Sequence, residues 1–140
     1  MSKVAVVFWS GTGNTEKMAG AVADGAKKAG AEVEVIGCAD FNAGRVADYD
    51  AIAFGCPSMG AEVLEESEFE PMFADVEGSL NGKKIALFGS WGWGEGTYMN
   101  DWEARCKEDG AVLATAPVTC ANEPDDGAIA ACEALGAALA

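Results

Sequence analysis

The chain is 140 residues long, half of them hydrophobic, and sets 23 aspartates and glutamates against 9 lysines and arginines for a formal net charge of -14. This length predicts one domain, residues 1–140, with a sizeable core, and the apolar fraction excludes a disordered chain. The acid excess argues against nucleic acid and anionic membrane surfaces, whose phosphates require cations, and suits either plain solubility or encounter with basic partner surfaces.

The opening "MSKVAVVFWSGTG" lacks the basic-then-apolar pattern of a secretory leader, and no apolar run is long enough to cross a bilayer. A cytoplasmic protein is the expectation. "VAVVF" from Val4 predicts a first strand. The helix after it carries Met18, Val22 and Ala26 on one stripe and ends in "KKAG", with lysines at the negative helix end and Gly30 as a left-handed cap. "VEVI" from Val33 predicts the second strand, residues 39–48 at most a short helix, and "AIAF" from Ala51 the third strand. A helix with Phe69, Phe73 and Val76 follows, then "IALF" from Ile85 as a strand, and a helix with Met99, Trp102 and Cys106 that stops near Gly110. "VLATAPV" from Val112 predicts a fifth strand, and the last helix starts at "PDDG" and carries Ile129, Cys132, Leu135 and Leu139. Strands that are apolar throughout, alternating with helices, imply a doubly wound parallel sheet with helices on both faces. Ligands of such sheets bind beyond the carboxyl ends of the strands, which puts the loops after Trp9, Gly55, Gly89 and Val118 on one rim.

Cys38, Cys56, Cys106, Cys120 and Cys132 show no CxxC spacing and are odd in number, so neither a disulfide framework nor a metal site is expected. The chain has no histidine, which removes imidazole acid–base chemistry and histidine ligation.

The first rim loop, "WSGTGNT", has the form of a phosphate cup without a cation. Gly11 and Gly13 allow a tight turn and close backbone approach. Ser10, Thr12 and Thr15 supply hydroxyls, Asn14 an amide, and the helix start its unpaired N–H groups and positive dipole end. A nucleoside triphosphate loop is excluded, because the GxxxxGK[ST] lysine is missing, and GxGxxG is missing too. The competing interpretation is a glycine-rich turn with an ordinary N-cap. In the second loop, "GCPSMGAE", Pro57 stiffens the chain, Gly60 tolerates positive φ and Met59 offers a polarizable thioether, while Cys56 reads as a small apolar residue. The third, "GSWGWGEG", places two tryptophans among glycines that cannot pack around both, which suggests stacking on a flat ligand.

"SGTGNT", "CPSMGAE" and "GSWGWG", in this order at the ends of the first, third and fourth strands, resemble the phosphate loop and the two isoalloxazine loops of the short-chain flavodoxins, and "NEPDD" fits the same family. The resemblance covers essentially the whole chain. It implies a single-domain, five-stranded parallel sheet of order 2-1-3-4-5 and non-covalently bound FMN. It assigns Ser10, Gly11, Thr12, Gly13, Asn14 and Thr15 to the FMN phosphate. Ser58, Met59, Gly60, Ala61 and Glu62 are assigned to the flavin, with Met59 on its inner face and Glu62 accepting from N3–H. Ser90, Trp91, Gly92, Trp93 and Gly94 are assigned to its pyrimidine edge and outer face, with Trp93 stacked, and Asn122 to a cofactor contact.

The function so implied is a low-potential one-electron carrier, FMN cycling between semiquinone and hydroquinone, with no catalytic residue and no substrate turnover of its own. Partners would be redox proteins with basic docking surfaces, and the chain itself a monomer. "AEVLEESEFEP" concentrates carboxylates near this rim, part of them at a helix start and the rest free for docking. Family members hold N5–H with the carbonyl of a flipped peptide, here Gly60–Ala61; alanine resists the positive φ of that state by roughly 1 kcal/mol, so a less stable semiquinone than in an Ala61→Gly variant is expected. Two other readings compete. An NAD(P)H-dependent quinone reductase of this fold would need a nicotinamide site for which little chain is left over. A phosphoacceptor domain would need acidic residues where "WSGTG" and "GCPSMG" stand.

Overall fold

The computed structural model describes residues 2–11, 13–58, 64–91 and 97–140. In chain order they form β1 (Lys3–Phe8), α1 (Asn14–Lys28), β2 (Glu32–Gly37), 3-10 turns at Cys38–Asp40 and Ala43–Asp48, β3 (Ala51–Gly55) and α2 (Phe69–Val76). A 3-10 turn at Glu77–Ser79, β4 (Lys84–Trp91), α3 (Tyr98–Glu108), β5 (Val112–Leu113), β6 (Val118–Ala121) and α4 (Asp126–Leu139) complete them. Every strand pair is parallel, and the order β2-β1-β3-β4-β5 is the one the resemblance implied. The stretch around residue 40, expected as at most a short helix, is the pair of 3-10 turns.

Side chains alternate across the strands and build two cores. Val4, Val6, Ala51, Ala53, Ala86 and Phe88 face α1 and α4, while Ala5, Val7, Ile52, Phe54, Ile85 and Leu87 face α2 and α3. Between α1 and α4 the backbones touch. A Cβ on Gly25 would lie 1.9 Å from the Glu133 carbonyl oxygen, and one on Gly136 equally close to that of Val22. On the opposite face aromatic rings fill the space, and Arg105 of α3 clasps Glu70 of α2 with both guanidinium branches, at 2.7 and 2.8 Å, while also reaching Glu77. Met18, Val22, Phe69, Phe73, Val76, Met99, Trp102, Cys106, Cys132, Leu135 and Leu139 are buried as the helical spacing required.

Two expectations are corrected. The strand from Val112 is not continuous: Leu113 lies opposite Ile85 but Val118 opposite Phe88, so the outer chain takes five steps where β4 takes three. Pro117 has no N–H to donate, and the extra residues loop out before β6 resumes pairing. The fourth strand also runs past Phe88. Because β6 supplies partners as far as Trp91↔Ala121, Ser90 and Trp91 belong to the strand and the loop begins after them.

All five thiols are unpaired. Burial, aided by neighbouring carboxylates at the first two, pushes Cys38 up to about 11 and Cys106 and Cys132 up to about 12, and raises Cys56 and Cys120 as well. Among the described residues no helix is long and apolar enough to cross a membrane, and no cluster of metal-ligating side chains occurs.

Candidate functional site

β1, β3, β4 and β6 end on one rim, and three chain segments meet the last two residues of β4. The buried hydroxyl of Thr15, in the first turn of α1, lies 3.0 Å from the hydroxyl of Ser90. The amide of Ser58, just past β3, donates to the Ser90 carbonyl at 2.9 Å. The amide of Asn122, just past β6, donates to the Trp91 carbonyl at 2.7 Å. Asn122 reaches that bond with φ 56, a left-handed conformation that asparagine tolerates better than most residues. Thr15, Ser58, Ser90, Trp91 and Asn122 are therefore brought together on this rim.

The start of α1 is organised from Ser10. Its hydroxyl oxygen accepts from the amides of Gly13 at 3.0 Å and Glu16 at 3.3 Å, and Gly13 takes φ 94 to turn into the helix. The amides of Asn14 and Thr15 have no acceptor within the helix, as at any helix start, and sit at the positive end of its dipole. Lys17, in the same helix, is engaged elsewhere, its Nζ 2.6 Å from Glu123. Hence, among the described residues, the start of α1 offers neutral donors only. That ion pair also ties the segment after β6 to α1, a contact that sequence spacing gave no sign of.

Trp9 is a residue that sequence reasoning passed over. Its indole lies so close to Gly11 that a Cβ there would fall 2.9 Å from the ring. A side chain at 11 would have to displace this ring. Trp91 is half-buried and packs against the aromatic core, so at least part of this indole is a core element. Thr12, Met59, Gly60, Ala61, Glu62, Gly92, Trp93 and Gly94 lie outside the described residues.

The acidic stretch divides by role. Glu65 is buried, and its carboxylate accepts from the amides of Glu68 at 2.7 Å, Ser67 at 2.8 Å and Phe69 at 2.9 Å, and from the Ser67 hydroxyl. Burial pushes this carboxyl up, yet the hydrogen bonds outweigh it and hold it down at about 2. Glu65 is the cap of α2, and Glu70 is taken by Arg105, which leaves Glu66 and Glu68 exposed.

The donor set fits FMN. A phosphate dianion suits free helix amides and hydroxyls, and the Ser58 hydroxyl is buried with no hydrogen-bond partner among the described residues, as expected of a group kept for a polar ligand. The model of the family described as Flavodoxin matches residues 6–135. The chain belongs to the flavodoxin family. Among flavodoxins, that of Megasphaera elsdenii is 49% identical over 138 residues, covering 98% of both chains. That of Clostridium beijerinckii is 47% identical over 121 residues, covering 86% of this chain and 88% of the relative. The solution structure of two-electron reduced Megasphaera elsdenii flavodoxin has a TM-score of 0.88 at 46% identity, covering 97% of each chain. Flavodoxins bind flavin, ordinarily FMN, and transfer electrons.

Proposed function

We propose that this flavodoxin is a low-potential one-electron carrier that holds FMN non-covalently and passes electrons between partner proteins without turning over a substrate. The observation that carries this reading is the convergence of Thr15, Ser58 and Asn122 on Ser90 and Trp91, with an uncharged helix start beside it. Ser10, Gly11, Thr12, Gly13, Asn14 and Thr15 would hold the phosphate. Ser58, Met59, Gly60, Ala61, Glu62, Ser90, Trp91, Gly92, Trp93, Gly94 and Asn122 would line the flavin, which supplies the redox chemistry when bound. An electron added to FMN in a chain of net charge -14 meets repulsion, since each carboxylate ~10 Å away costs roughly 0.8 kcal/mol at an effective dielectric of about 40, which favours donation at low potential. The same charge supports a monomer that meets basic partner surfaces in the cytoplasm.

Titration of FMN into apoprotein tests the reading. Stoichiometric quenching of flavin fluorescence is expected, with two separate one-electron steps on reductive titration. Colourless protein that leaves FMN fluorescence unchanged would sink it.

A further inference from the structure

One hydrogen bond outside the proposed FMN contacts joins the two loops assigned to the ring. Tyr98 is the first residue of α3, directly after the third loop, and its hydroxyl donates to the carbonyl of Cys56 at 2.8 Å, at the root of the second loop. Both residues are buried, Cys56 fully and Tyr98 at 2% exposure.

The surroundings are built for this bond. A Cβ on Gly89 would lie 2.1 Å from the Tyr98 hydroxyl oxygen and 2.2 Å from the Cys56 carbonyl oxygen, so only glycine leaves room for it. Cys56 is held at three further points, its amide donating to Phe88 O at 3.2 Å, its sulfur accepting from the Glu65 amide at 3.3 Å and its thiol donating to Pro57 O at 3.5 Å. The next residue is Pro57, which has no N–H. The peptide linking 56 to 57 can therefore be fixed by hydrogen bonding only through the Cys56 carbonyl. Beyond it, the next backbone tie is Ser58 N–H to Ser90. Burial, the largest influence, raises the phenol far above its ordinary range, so Tyr98 stays a donor at every working pH.

We propose that Tyr98 is a positioning residue for the flavin, its hydroxyl fixing the Cys56–Pro57 peptide and so the placement of Ser58, which the FMN reading assigns to the cofactor. The inference rests on the FMN-binding reading above and adds to it a residue that does not touch the cofactor.

Tyr98→Phe keeps the ring and deletes the bond. Three quantities decide the matter: amide exchange at Ser58 in apoprotein, the urea midpoint of apoprotein, and the Kd for FMN by fluorescence quenching. Loss of a buried hydrogen bond at the loop root is expected to speed Ser58 exchange and raise the FMN Kd, each about tenfold. Leu135→Ala, in α4 away from both loops, serves as a control that lowers the urea midpoint while leaving Ser58 exchange relative to global unfolding and the Kd as in wild type. A Tyr98→Phe protein that loses urea stability but keeps both the wild-type Kd and the wild-type Ser58 exchange would overturn the proposal and make Tyr98 a packing residue. Failure of the wild type to bind FMN would instead overturn the FMN reading, and Ser58 exchange would still decide whether Tyr98 holds the loop root. Gly89→Ala crowds the same bond and is expected to move both quantities in the same direction.

Discussion

On the α2–α3 face, Phe73 meets Phe54 and Trp102 edge to face with centroids 5.2 and 5.7 Å apart, and Phe69 meets Trp102 likewise at 5.5 Å. On the α1–α4 face the closest contacts are backbone on backbone, at Gly25 and Gly136. The first face is defined by large, directional shapes, the second by the absence of side chains. Each stands behind a different part of the proposed site, for α1 begins at the candidate phosphate cup and α3 begins with Tyr98. The ring-filled face should therefore be sensitive to what is removed from it and the helix seam to what is added.

Phe73→Ala is the strongest test of this contrast. Three ring partners and the Arg105 guanidinium, 4.9 Å from the Phe73 ring centroid, would lose their neighbour. A loss of about 4 kcal/mol in urea unfolding is expected. Gly136→Ala probes the seam from the opposite direction. One methyl group forces α1 and α4 apart, at an expected cost of about 2–3 kcal/mol, and a neutral result would show that the seam gives way freely.

Electrostatic variants sharpen the picture at smaller scale. Glu65→Gln removes a charged helix cap and should cost about 1–2 kcal/mol at neutral pH. The wild-type carboxyl sits at about 2 against an ordinary 4.5, so its contribution is complete above pH 4.5 and is lost as pH falls toward 2. The Gln variant should lack that acid-side loss, which urea midpoints measured across the window would reveal. Asp109 behaves in the opposite sense. Burial first, and the neighbouring Glu77 carboxylate second, push it up to about 6 from 3.8, and it caps the negative end of α3. Its raised value means that stability falls as pH rises from about 4 through 6. Asp109→Asn should thus gain on the order of 1 kcal/mol at pH 7 and nothing at pH 4.

Much of this was legible in the sequence because its signals are periodic or local. Val4, Ala51 and Ile85 head apolar runs that could only be covered strands, and Gly30 and Gly110 take positive φ at the helix ends where stop signals stood. The rim followed from the strand ends, whereas the bonds of Thr15 and Ser58 to Ser90 became visible only in the structure. What escaped notice depends on contacts between distant residues. Nothing local distinguishes Glu65, a buried cap, from Glu66, a solvated acid one residue on. Tyr98 looks like any helical aromatic until Gly89 is seen beneath its hydroxyl. The break at Pro117 was visible as a proline, yet apolar residues on both sides suggested one unbroken strand. Trp9 heads the candidate phosphate loop, and only its ring position shows what crowds residue 11.

The thiols carry a practical consequence. Thiolate is the form that reacts with oxidants and alkylating agents, and each of the five sulfurs is held protonated at neutral pH, four of them out of reach of reagents. Only Cys120 is partly accessible, and its sulfur lies 3.6 Å from the Met18 thioether. Handling in air without added reductant should leave the native protein unmodified, and iodoacetamide should label Cys120 first and slowly, with the remaining four yielding only once the chain unfolds.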